Sequence, residues 1–194
     1  MKKLDLAIME KLIDSDDFTV GGGAASALSG AMAAGMASMV SKLSYEKSFG
    51  LSTENYRTIS LQADQLATKL LAGAEDDRKA YLLIKQAYAL PKGSEAEKAA
   101  RRLAIQQAGY EAANVPLQNG LHNQQVYQLI CQLEGHSNPA CLSDLLCAKY
   151  LSLVGIRGCI LNIQANLPLI KDTQQIQSLT AAVETLKLSL HADS

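Results

Sequence analysis

The sequence predicts an all-α fold, a multihelical antiparallel bundle with long helices. Apolar residues recur at helical spacing over long stretches. Strand signals are nearly absent, because no run of alternating Val, Ile, Thr or aromatic residues lies between tight turns. Capping and stopping residues cut the chain into helix-sized segments. Its 194 residues suffice for a sizeable core, and no linker, repeat or low-complexity tract divides them. Residues 1–194 therefore read as a single helical domain.

A short helix is expected over residues 4–13. Asp16, Asp17, Phe18 and Thr19, with Gly21, Gly22 and Gly23, form an entry loop. A helix of Ala, Ser, Gly and Met follows, ending near Ser44. It carries small residues at every fourth position (Ala25, Ser29, Ala33, Ala37, Ser41), with a second row beside them (Ser26, Gly30, Ala34, Ser38). Such rows let neighbouring helices approach closely on both sides, which predicts a central helix. The glycines free the backbone for close approach to a ligand. The helix start behind them offers unpaired N–H donors, so a site is expected at this tip.

A loop is expected over residues 45–52. Thr53 is read as the cap of a long helix reaching Ala89, which Pro91 and Gly93 stop. Ser94 and Glu97 have the spacing of a capping box and open a helix running past Ala113. Pro116 is expected to kink or break it. Helical pattern resumes over 117–134, with Gly135 as C′ residue. After a loop at 136–142, Ser143 is read as an N-cap, with Asp144 in the first turn. That helix reaches Asn166, where Leu167 and Pro168 end it, and a final helix covers 173–190.

Composition narrows the function. The net charge is −1 and no basic stripe with interleaved aromatics occurs, so a nucleic-acid partner is not expected. The first residues lack the long apolar core of a signal peptide. Residues 24–43 have the length of a membrane span but are too rich in Gly, Ser and Ala to insert, so no membrane partner is expected. Four cysteines without a C-x-x-C pair fit a reduced, cytoplasmic setting. His122, His136 and His191 have no metal-ligand spacing, and no metal site is expected.

Asp77 is the first candidate for chemistry. The apolar stripe of the long helix runs Leu66, Leu70, Ala74, Asp77, Tyr81, Ile84, Tyr88, which places a carboxylate on the buried face. Burial raises a carboxyl pKa toward neutrality and suits a general acid/base. The alternative is a structural Asp that caps a helix or pairs with Arg101, Arg102 or Arg157. A second constellation lies where Gly155 and Gly158 thin a helix that also carries Asn162 and Asn166, four apart on one face. Two amides there can read a planar heterocycle or simply bond helix to helix.

Taken together, these elements resemble the formiminotetrahydrofolate cyclodeaminase / methenyltetrahydrofolate cyclohydrolase family, from about residue 4 to residue 172. Gly21-Gly22-Gly23 with its Ala-rich helix is similar to a P-G-G-G-S opening. Asp77-Arg78-Lys79-Ala80-Tyr81 is similar to D-x-x-A-F/Y, and Leu90-Pro91-Lys92 to L-P-K. Arg101, Ala113 and Val115-Pro116-Leu117 fit the next helix. Asn138 with Ser143-Asp144 is similar to N-x-x-x-x-S-D, and Asn162 to Leu167 to N-V-x-I-N-L. Val20 stands where the family usually has Pro, and Ala24 where it usually has Ser.

The resemblance implies a folate one-carbon enzyme acting at the N5–C–N10 bridge of tetrahydrofolate, with Asp77 as acid/base. It implies a homodimer, with a tetrahydrofolate derivative as substrate and no permanently bound cofactor. Its folate pocket, at the dimer interface, would draw on Gly21, Gly22, Gly23, Asn138, Ser143, Asp144, Asn162 and Asn166. Two other readings stay open at this point. One is a folate- or small-molecule-binding helical dimer without turnover, motivated by Val20 and Ala24. The other is a structural assembly protein with no pocket beside Asp77.

Overall fold

A computed structural model describes residues 7–47 and 49–191, the last by its backbone only. Six α-helices follow one another: α1 (Ala7–Ile13), α2 (Gly22–Lys42), α3 (Thr53–Ala89), α4 (Glu95–Leu133), α5 (Leu142–Asn166) and α6 (Thr173–His191). Short 3-10 turns at Pro139–Cys141 and Leu167–Leu169 flank α5, and no strand occurs among the described residues. The readings made at residues 1–6, including the helix start at Leu4 and the N-terminal segment, lie outside the described residues.

The small-residue helix is central. α2 packs chiefly against α3 and α5, and also against α4. Ala24, Ala27, Ala33, Ala34, Ala37 and Val40 are fully buried. Hydroxyl groups on its faces are satisfied by carbonyls: Ser41 Oγ donates to Tyr56 O at 2.7 Å and Ser38 Oγ to Ser60 O at 3.2 Å, and just past its end Ser44 Oγ donates to Val40 O at 2.8 Å. One apolar core joins α2 to α3 and to facing parts of α4 and α5. A second lies among α4, α5 and α6, with Ile156, Ile163 and Leu186 at its centre. By length and composition, α2 and the stretch Pro139–Leu169 are apolar enough to cross a membrane. In α2 two-thirds of that apolar window is buried inside the bundle, as in the core helix of a globular domain.

Several boundaries differ from the sequence reading. Ser52, not Thr53, caps α3: its side chain accepts from the Asn55 N–H. The Ser94–Glu97 capping box is present at the start of α4. Gly135 has φ of +71°, the left-handed C′ conformation that favours glycine. Ser143 is not an N-cap. The 3-10 turn feeds directly into α5, so the helix begins two residues earlier, at Leu142, and Ser143 lies exposed in its first turn.

Pro116 neither breaks nor ends its helix, and α4 is continuous for 39 residues with the proline inside. Proline removes the N–H that would bond the carbonyl four residues earlier. That carbonyl, Ala112 O, instead accepts from Asn166 Nδ2 of α5 at 2.9 Å. The neighbouring helix thus satisfies the group that the kink expectation left unpaired.

Candidate active site

The entry loop is built before the site it frames. Asp17 accepts from the Thr19 backbone N–H at 2.8 Å and from its hydroxyl, and it pairs with Lys11 of α1 at 3.3 Å. These bonds hold its carboxyl below the usual carboxylate range, the Thr19 hydroxyl contributing most. The chain then enters α2 through Gly21, whose lack of a side chain leaves the N-cap position without a side-chain bond. The missing cap comes from α3. The Ala24 backbone N–H, one of the unpaired donors of the first turn, donates to the Asp77 carboxyl.

Gly23 makes this approach possible, because a Cβ there would overlap the Asp77 carboxyl. Beside it, a Cβ on Gly22 would lie 3.3 Å from Asn162 Nδ2. Two of the three glycines are thus close-approach points, one toward α3 and one toward α5. Burial pushes Asp77 up from 3.8 to about 6, and the Ala24 N–H pulls in the opposite direction. No arginine supplies a counter-charge. Arg101 donates to Tyr88 O at the far end of α3, while Arg102 and Arg157 are exposed. The pairing alternative raised by the sequence is therefore absent, and the capping alternative is present together with a raised pKa. Cys159, buried on α5, has its thiol pushed up by burial and by the nearby Asp77 charge.

A cavity of about 210 Å³ opens at this point. Gly21, Gly22 and Gly23 form one side, Asp77 lies within it, and Asn162 and Asn166 approach from α5. Ser26, one turn into α2, does not reach it: its hydroxyl donates to Gly22 O at 2.6 Å and fills the space left by Gly158. Ala24 is fully buried in the core and does not line the cavity, so the departure from Ser at this position removes no hydroxyl from the site. Val20 does line it.

The structure adds residues that the sequence reading missed. Phe18 is 79% exposed and Tyr81 42% exposed, and both border the cavity. Tyr81 and Tyr88 were expected on the buried stripe of α3. Beyond Asp77 that stripe opens to solvent, and Ala80 and Ala87 take over the buried positions. A phenylalanine three residues before a glycine turn is the sequence signal that points to Phe18. Ala112 and Ala165 also line the cavity and carry no sequence signal of their own. A neighbouring groove shares Phe18, Thr19 and Tyr81 and contains Lys85.

The other predicted residues lie elsewhere in the chain. Asn138 receives the Ala140 N–H on its side chain, and its own backbone N–H donates to Ser44 Oγ at 3.0 Å. Ser143 and Asp144 lie nearby in the first turn of α5. All three sit at the C-terminal end of α2, some 20 residues from Ala24, or roughly 30 Å at 1.5 Å per residue. Within one chain they do not join Asp77.

Comparison with known proteins bears on the family and the fold. A methenyltetrahydrofolate cyclohydrolase of Methylorubrum extorquens is 34% identical over 149 residues, 76% of this chain and 72% of that protein. A formimidoyltransferase-cyclodeaminase of Gallus gallus is 28% identical over 172 residues, 86% of this chain but 32% of that protein, so the chain spans about a third of the animal relative. The crystal structure of a formiminotetrahydrofolate cyclodeaminase from Thermotoga maritima superposes with a TM-score of 0.84 at 25% identity, covering 98% of this chain and 91% of that one. Residues 8–185 match the family model described as formiminotransferase-cyclodeaminase, and the chain belongs to that family.

Proposed function

We propose that the protein is a folate one-carbon enzyme acting at the carbon that bridges N5 and N10 of tetrahydrofolate. The observation that carries this reading is Asp77: a carboxyl lifted to about 6 by burial, without a cationic partner among the described residues, at the wall of a cavity beside a glycine turn. In the cyclodeaminase reaction, N10 attacks the formimino carbon and ammonia leaves. In the cyclohydrolase reaction, water attacks the methenyl carbon and the ring opens to the 10-formyl form. Both pass through a tetrahedral carbon flanked by nitrogen. One carboxyl with a pKa near neutrality can take the proton from the nucleophile and deliver it to the leaving nitrogen. The Ala24 N–H fixes the carboxyl in place for that exchange. Phe18 and Tyr81 offer apolar faces to a planar ring, and Asn162 and Asn166 meet its polar edge. The tetrahydrofolate derivative is substrate, with no permanently bound cofactor.

The working unit is a homodimer of this helical domain. Leu146, Tyr150, Val154 and Leu161 form an exposed apolar row on α5, and Met32 and Met39 lie exposed on α2, which packs against it. An exposed apolar face of this kind supports association. A two-fold axis across it would set the start of one α2 near the end of the other. Asn138, Ser143 and Asp144 of one copy would then reach the Asp77 site of the second, which reunites residues that the single chain separates. The four cysteines, none in a disulfide, support a reducing, cytoplasmic setting, and neither nucleic acid nor membrane is proposed as a partner.

The test follows methenyl absorbance with methenyltetrahydrofolate and with formiminotetrahydrofolate, for wild type and Asp77→Asn side by side. Turnover by wild type on either substrate, abolished in a folded Asp77→Asn variant, is the expected result. Retained turnover in that variant removes the role given to Asp77. Tight folate binding by wild type without turnover selects the binding-only reading instead.

A further inference from the structure

We infer that Pro116 is a positioning residue for this cavity: it orients the Asn166 amide so that its oxygen faces the ligand, and the site therefore selects a ring edge that donates an N–H. In an unbroken helix the N–H of residue 116 would donate to the Ala112 carbonyl. Proline has no N–H, and its ring pushes that carbonyl off the helix axis. Ala112 lines the cavity, and so does Asn166. Asn166 Nδ2 donates to Ala112 O at 2.9 Å and to Asn162 O at 2.9 Å.

An amide nitrogen carries two hydrogens, and both are used here. Turning the amide over would set its oxygen against two carbonyl oxygens, so the orientation is fixed by the network. The oxygen is left for the cavity, and it can only accept. Pro116 is itself fully buried and does not line the cavity, so it acts through Asn166. The hydrogen-bond geometry stands without any ligand. That the ligand is a reduced pterin, whose ring N–H or amino group would meet this oxygen, rests on the folate reading above.

Pro116→Ala and the bulkier Pro116→Val both restore the backbone donor. Two measurements decide. The first is hydrogen exchange of the Asn166 side-chain NH₂ by NMR, its signals assigned through their loss in Asn166→Asp. Both protons should be protected in wild type, and at least one should exchange about tenfold faster in either Pro116 variant. The second is kinetic: KM for the folate substrate should rise roughly fivefold to tenfold with kcat within about twofold, the pattern of lost ground-state binding. Unchanged exchange or unchanged KM in a folded Pro116 variant overturns the proposal. Rapid exchange of both Asn166 protons in wild type overturns it as well, without any variant. If wild type turns over neither folate, the folate reading fails alone, and the exchange measurement still decides the role of Pro116.

Discussion

At the tip of α2 the missing Cβ of Gly23 leaves room for the carboxyl of Asp77; two turns along the same helix the missing Cβ of Gly30 leaves room for the amide of Asn123. Gly155 of α5 leaves room for the same amide, and Gly73 of α3 does so for Asn119. The construction is shared: a glycine on one helix receives a polar side chain from another. The outcomes differ. Asn123 is fully buried, donates to Ser26 O and Asn119 O, and has no ionisable proton to give. Asp77 is half-buried, titrates near neutrality and faces a cavity. A glycine notch is thus a packing device by default. It becomes a reactive site where the inserted group can ionise and one side stays open to a ligand.

The comparison breaks most decisively at Asp77. Asp77→Asn keeps the shape and the acceptor for Ala24, and should lower kcat by about a hundredfold to ten-thousandfold, the usual worth of a positioned acid/base. Loss of this size at Asp77, with Asn123→Asp leaving any activity tied only to folding, would separate the two notches. The pH profile sharpens the same point. If the ionised carboxyl takes the first proton, kcat/KM of wild type should rise about tenfold per pH unit below about 6 and level above it.

Stability gives the next largest effect. A carboxyl whose pKa is raised from 3.8 to about 6 on folding prefers its protonated form in the native state. Its ionisation therefore subtracts stability as the pH climbs from about 4 through about 6, and that cost is absent below about 4. Asp77→Asn should accordingly be more stable than wild type by up to about 3 kcal/mol at pH 7–8, with the gap closing in acid. Urea denaturation at pH 4 and pH 8 checks this, and a pH-independent difference would contradict it. At the sealed notch, Gly30→Ala and Gly155→Ala should each destabilise by about 2–3 kcal/mol through overpacking against Asn123. Their turnover per folded molecule should be retained. The smallest effect is expected at Ala24. Because this side chain points into the core, Ala24→Ser should leave KM within about twofold, whatever a buried hydroxyl does to the melting temperature.

Much of this arrangement was legible in the sequence because it obeys local spacing. The small-residue rows identified α2 as central, the capping box fixed the start of α4, and the helical register placed Asp77 on an inward face. Gly21–Gly23, Asp77, Asn162 and Asn166, read separately, converge on one cavity. The misses come from contacts between distant segments. Whether Tyr81 is covered depends on what lies above α3 beyond Asp77, which periodicity does not report. Pro116 has a local cost, but its rescue comes from a residue fifty positions later. Asn119 and Asn123 stand four apart on α4, the same signal that drew attention to Asn162 and Asn166. Nothing in the spacing says which amide pair meets a cavity and which meets glycine.

The dependence of α2 on a cap from another helix couples fold and chemistry at one atom. Whenever Asp77 gains a proton, the first turn of the central helix is held by a neutral acceptor in place of an anionic one. Removing the group altogether, as in Asp77→Ala, would therefore fray the glycine turn as well as stop the proton shuttle. The contrast between Asn and Ala at this position measures how firmly the entrance of the bundle is anchored, separately from the reaction performed there.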